Sequence, residues 1–202
     1  MVWSSILKIS TPDSSAGRRH VFAICLYIGA NVGLSVVAAS FAYPYASGKI
    51  AMIKLLVMFA VFAAAAPADV LTHKIPNLLV LTVFLVRVVL FVPEIIAQPS
   101  QWQQLVAGSA IRALAVFSLL MMLAVLSRGG FGMGDVKLMT AQTFLCGAYS
   151  ASYTFFFALV SCAAVMIILI LSSQKKRKDV IPLGPFFYIG YVLSLFLGCF
   201  HT

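Results

Sequence analysis

The chain is written as a succession of long apolar runs separated by short polar breaks, at about 21–42, 51–70, 77–97, 104–126, 135–150, 152–172 and 182–199. A bilayer core of about 30 Å takes roughly 20 apolar residues of helix to cross, and backbone in hydrocarbon must satisfy its own hydrogen bonds. Runs of this length therefore predict transmembrane helices. Hydrophobic residues make up 62% of the chain and charged ones 9%, against about 45–50% and roughly 25% in soluble domains, so a soluble globule is excluded. The expected fold class is all-α, a polytopic membrane helix bundle of about six to seven transmembrane helices. The fifth run is the shortest and so defines its helix least well.

The net charge of +9 could suggest a nucleic-acid partner. However, the Lys and Arg residues fall between apolar runs and form no patch interleaved with aromatics, so no nucleic acid is expected and the charge reads as topology. Lys8, Arg18 and Arg19 precede the first run, and Lys74 follows the second. Arg128 and Lys137 flank the break after the fourth run, and Lys175, Lys176, Arg177 and Lys178 follow the sixth. These breaks share one side of a seven-span topology, which the positive-inside rule makes cytosolic. The breaks near Gln98–Gln103 and near Ser150 carry neither Lys nor Arg. Lys49 and Lys54 bracket the first opposite loop, where Lys54 is expected to snorkel.

The reading that follows is a cytosolic segment at 1–20, a helix and loop at 21–50, and a membrane core at 51–202, with the N-terminus inside and the C-terminus outside. The first apolar run exceeds the 7–15 residues or so of a signal-peptide core, which predicts an uncleaved anchor. The bilayer is the first expected partner, and the run Lys175–Lys178 suits anionic headgroups. Cys25, Cys146, Cys162 and Cys199 are isolated, with no C-x-x-C pair, so neither a zinc site nor a disulfide framework is expected.

Of five acidic residues, Asp13 lies in a polar leader, Glu94 near a helix end and Asp179 in a basic loop. Asp69, after FAVFAAAAPA, and Asp135, at the end of GFGMGD, instead abut apolar runs. A carboxylate at the membrane edge is costly and is a functional hypothesis by default. The topology ends one run at Asp69 and opens another at Asp135, both at the cytosolic side, so the two can meet. Two adjacent carboxylates cannot both ionise readily and share a proton, one acting as base toward water and the other as acid toward a carbonyl.

The flanks support this placement. Gly132 and Gly134, after Gly129 and Gly130, give a loop without side-chain bulk that would let a substrate backbone approach. Pro76 disfavours helix at Ile75 and suits the start of the next helix. Asp69 is expected near a helix C-terminus and Asp135 at a helix N-terminus. The helix dipoles then predict Asp135 ionised as the base and Asp69 protonated as the acid, with Asp69→Asn keeping more residual activity than Asp135→Asn.

Asp69 with Lys74-Ile75-Pro76-Asn77, the segment Gly132-Met133-Gly134-Asp135-Val136-Lys137-Leu138, and Pro182-Leu183-Gly184-Pro185-Phe186 together resemble the GxGD-type prepilin peptidases. The first matches that family's leading aspartate and K/R-x-P-N tail, the second its GxGD segment, and the third the P-x-G-P-F at its last core span. The resemblance implies a membrane-embedded aspartic endopeptidase of the EC 3.4.23 class, with Asp69 and Asp135 as catalytic residues. Lys74, Pro76, Asn77, Gly132, Gly134, Lys137, Pro182, Gly184 and Pro185 would support them, with no metal or other cofactor. It further implies a multi-pass protein of the bacterial inner membrane that cuts the short basic leader from pilin-like precursors at the cytosolic face, serving type IV pili or protein secretion. The paired C-x-x-C loop of the large bifunctional members is absent, so methylation is not expected. Presenilin-like relatives place a Tyr-Asp pair where Ala68-Asp69 stands here.

A proton- or cation-coupled transporter could also use two carboxylates, but it would place them near mid-bilayer, often in repeated halves, and no repeat relates these segments. A scaffold whose aspartates only cap helices would suit Asp135, whereas Asp69 lies at the wrong end of its own helix. His73 reads as a solvated loop residue rather than a proton shuttle. Arg87 and Arg112 lie deep in their runs, where Glu94, two turns on, is expected to answer Arg87. Ala63–Ala66 would allow close helix packing around Asp69.

Overall fold

A computed structural model describes residue 37 and residues 48–72, 74–127, 131–171 and 182–197. The helix expected at 21–42, apart from residue 37, and His73, Arg128 and the run 175–178 lie outside these residues. The described residues contain α1 (Lys49–Thr72), α2 (Asn77–Ala97), α3 (Trp102–Leu126), α4 (Met133–Cys146), α5 (Ala148–Leu171) and α6 (Gly184–Phe196), with a 3-10 turn at Pro99–Gln101. All six helices belong to one compact unit, Ala38–Thr202, and no strand occurs among the described residues. Four of the helices, α1, α2, α3 and α5, are long and apolar enough to cross a membrane. The fold is a membrane helix bundle, and the exposed Leu85, Val89, Ile111, Leu114, Ile167 and Ile168 on α2, α3 and α5 suit contact with lipid chains.

The break expected near Ser150 falls three residues earlier. Cys146 ends α4 and Gly147, at φ 94°, turns the chain directly into α5. That backbone conformation favours a residue without Cβ. Ser150 is buried within α5, where Gln142 Nε2 donates to Thr154 Oγ1 at 2.7 Å and reaches Ser150 Oγ at 3.5 Å. Ser194 of α6 lies 3.4 Å from the Thr154 hydroxyl. The polarity around Ser150 that reads as a break is thus an interhelical hydrogen-bond network, of the kind that holds membrane helices together.

Packing of α6 onto α1 and α5 positions the site. Tyr191 is fully buried, packs against Phe62 with the rings tilted and centroids 5.1 Å apart, and donates its hydroxyl to the Leu55 carbonyl at 2.8 Å. On the other flank Gly190 lies so close to α5 that a Cβ would stand 2.5 Å from the Thr154 carbonyl oxygen. Small residues that let backbones approach are the usual means of close packing in lipid.

Lys54 is held in an ion pair. Its ammonium lies 2.5 Å from Glu94 Oε1, and Arg87 Nη1 donates to both Glu94 oxygens at 3.0 and 2.9 Å. Arg87 also covers the Phe91 ring at 4.2 Å. The expected Arg87–Glu94 pair is therefore present, and Lys54 joins it. Deep in a bundle, pairing a cation offsets much of its desolvation cost.

Candidate active site

Asp69 stands in the last turn of α1, and Asp135 is the third residue of α4. Both are buried, at 8% and 7% exposure, and their carboxylates are close enough to repel each other. Residues distant in sequence thus meet at one end of the bundle.

The segment between α1 and α2 follows from its residues. Pro76 caps α2 in extended backbone at φ −60°, ψ 128°, a conformation its ring favours. Ile75 before it is buried and lies against Gly134, where an added Cβ would meet Ile75 Cβ at 3.1 Å. Asn77 Oδ1 accepts a hydrogen bond from Lys137 Nζ at 3.2 Å. The I-P-N tail after Asp69 and the glycine segment before Asp135 are therefore in contact. Gly134 serves that contact.

Gly132 is the N-cap of α4, and the Asp135 carboxylate reaches back to its backbone N–H. This is the N3-to-N-cap half of a capping box. A Cβ on Gly132 would stand 3.0 Å from Asp135 Oδ2.

The third segment completes the site. Gly184 opens α6, and its N–H donates to Asp69 Oδ2 at 2.7 Å. Here a Cβ would fall 2.7 Å from Asp69 Cβ and 3.0 Å from Oδ2, so only glycine permits this approach. Pro185, in the first turn of α6, loses nothing by lacking an N–H, because the opening N–H groups of a helix have no intrahelical acceptor. Pro182, half-buried, leads into the turn.

Asp69 is therefore near the C-terminus of its own helix but at the N-terminus of another. The sequence signal was Pro182-Leu183-Gly184-Pro185, whose proline after glycine marks a helix start, yet its partner across the fold could not be read from it. With a helix start against each carboxylate, the dipoles of α1 and α4 alone do not assign the acid and the base. Each accepts one backbone N–H at the positive end of a helix, α6 for Asp69 and α4 for Asp135. An N–H to a carboxylate is worth about 1.5–3 kcal/mol, and a helix terminus about 0.3–1 kcal/mol. The Gly184 contact thus outweighs the α1 dipole.

Of the remaining expected residues, Lys74 is exposed beside the α1–α2 turn and Lys137 is exposed on α4. No group of three or more His, Cys, Asp or Glu residues able to hold a metal ion occurs among the described residues. Two buried, mutually repelling carboxylates, each fixed by a backbone donor, can hold one proton between them and carry out acid and base steps together.

The family model described as the type IV leader peptidase family matches residues 55–169, a stretch that contains both aspartates. No curated protein and no solved structure matches the chain.

Proposed function

The chain belongs to the type IV leader peptidase family, and on that premise we propose that it is an aspartic endopeptidase that removes the short basic leader from pilin-like precursors. The observation that carries the chemistry is the shared burial of Asp69 and Asp135, each tethered by a backbone N–H at a helix start. In the singly protonated pair, the ionised carboxylate takes a proton from a water molecule as its oxygen attacks the scissile carbonyl carbon. The protonated carboxyl gives its proton to the carbonyl oxygen. Collapse of the tetrahedral intermediate breaks the C–N bond: the proton taken from water passes to the leaving amine, and an intermediate hydroxyl returns its proton to the other carboxylate, restoring the singly protonated pair. Because each carboxylate meets a backbone N–H at a helix start, Asp69→Asn and Asp135→Asn are both expected to lose most of the activity.

The Lys and Arg distribution supports an inner-membrane orientation with the aspartates at the cytosolic face, where the leader of a pilin-like precursor precedes its hydrophobic helix. Incubating the purified protein with such a precursor tests the reading. Loss of the leader that disappears in Asp135→Ala supports the peptidase. Proton or cation counterflow without cleavage would replace it with a transporter, and neither activity would leave a scaffold.

A further inference from the structure

At the other end of the bundle a cavity of about 320 Å³ is lined by Lys54, Arg87 and Arg112 together with Gly147, Ala148 and Tyr149. It lies some 15 residues along α1 from Asp69, about 22 Å at 1.5 Å per residue, and is independent of the peptidase reading. A second cavity of about 260 Å³ shares Lys54 and Leu105 with it and reaches the helix ends at Ile50, Ala97 and Gln98.

The charges here do not balance. Glu94 accepts both Lys54 and Arg87, while Arg112 has no hydrogen-bond or ion-pair partner among the described residues. The other carboxylates among the described residues, Asp69 and Asp135, lie at the far end of α1 and at the opposite end of α4. Arg87 is 4% exposed, yet its Nε–H has no acceptor. A buried donor on a cation is costly to leave unmet, and Arg87 lines the cavity. Ala148 and Tyr149 are the first residues of α5, and the opening N–H groups of a helix lack intrahelical acceptors and favour anions.

We propose that this cavity binds a phosphate-type anion, the phosphodiester of an anionic lipid headgroup or free phosphate, between Arg87, Arg112 and the start of α5. Guanidinium groups match phosphate oxygens in geometry as well as charge. The early end of α4 at Cys146 leaves the room for it.

The test uses the full chain, purified in neutral detergent or in phosphatidylcholine nanodiscs, with binding read by native mass spectrometry and by the thermal unfolding midpoint. One arm adds phosphatidylglycerol, and the other adds inorganic phosphate against chloride of equal ionic strength. Retention of phosphatidylglycerol with a raised midpoint assigns the lipid, whereas protection by phosphate alone assigns the free anion. In either arm Arg112→Gln is expected to weaken binding at least about tenfold, the scale of one charge-assisted hydrogen bond, with Arg112→Lys, which keeps the charge but not the planar fork, falling between the two. Ala148→Asp, which suits a helix start but places a negative charge in the cavity, is expected to abolish binding without loss of fold. No gain over phosphatidylcholine and chloride, or equal gain in Arg112→Gln and Ala148→Asp, overturns the proposal.

Discussion

Replacing Gly184 with alanine tests how the site is held together. The added Cβ would stand 2.7 Å from Asp69 Cβ, whereas carbon atoms in contact prefer about 3.5–4.0 Å. Asp69 or the start of α6 must therefore move by roughly 1 Å. Such overpacking costs about 1–3 kcal/mol. The movement also breaks the 2.7 Å bond from the Gly184 N–H to Oδ2, and a 1 Å misplacement of a reacting group costs on the order of 100-fold in rate. The assay is single-turnover cleavage of a pilin-like precursor, normalised to folded protein, beside thermal unfolding in the same detergent. Gly190→Ala is the control. It clashes with the α5 backbone at 2.5 Å but does not touch Asp69, so it is expected to lower stability while leaving the rate per folded molecule within a few-fold of the parent. If Gly184→Ala cleaves within threefold or so of the parent, Gly184 does not position Asp69.

Glu94→Gln leaves Lys54 and Arg87 in the bundle without their carboxylate. Breaking a buried pair costs about 3–5 kcal/mol, so it is expected to lower the unfolding midpoint more than any substitution at an exposed charge and to spare cleavage per folded molecule. Asn77→Ala and Lys137→Ala remove an exposed hydrogen bond. Each is expected to cost no more than about 1 kcal/mol, and a double-mutant cycle should return a coupling of that size. A coupling near zero would mean that the two segments are joined by Ile75 and Gly134 alone.

The helices from α1 onward were legible because apolar runs of spanning length leave the backbone few alternatives. The α4–α5 boundary was not. Ser150 and Thr154 are polar, and composition alone does not distinguish a loop from a buried hydrogen-bond network closed by Gln142 and Ser194. The aspartates were legible as costly charges beside apolar runs, and topology alone placed them at one end of the bundle. The partners of these residues were hidden. That Gly184 donates to Asp69, that Ile75 rests on Gly134, and that Lys54 joins Arg87 at Glu94 are contacts between distant segments, set by how helices pack and not by local pattern. The helix start that lies against Asp69 was hidden for the same reason.

The central claim is that Asp69 and Asp135 act as one unit, and its most direct test compares kcat/KM for precursor cleavage by Asp69→Asn, Asp135→Asn and the double variant. Residues acting as a unit are non-additive. The expected result is that each single variant loses at least 100-fold or so, on the scale of acid–base catalysis, and that the double variant is no slower than either. Losses that multiply in the double variant, or full activity in either single one, would contradict the claim.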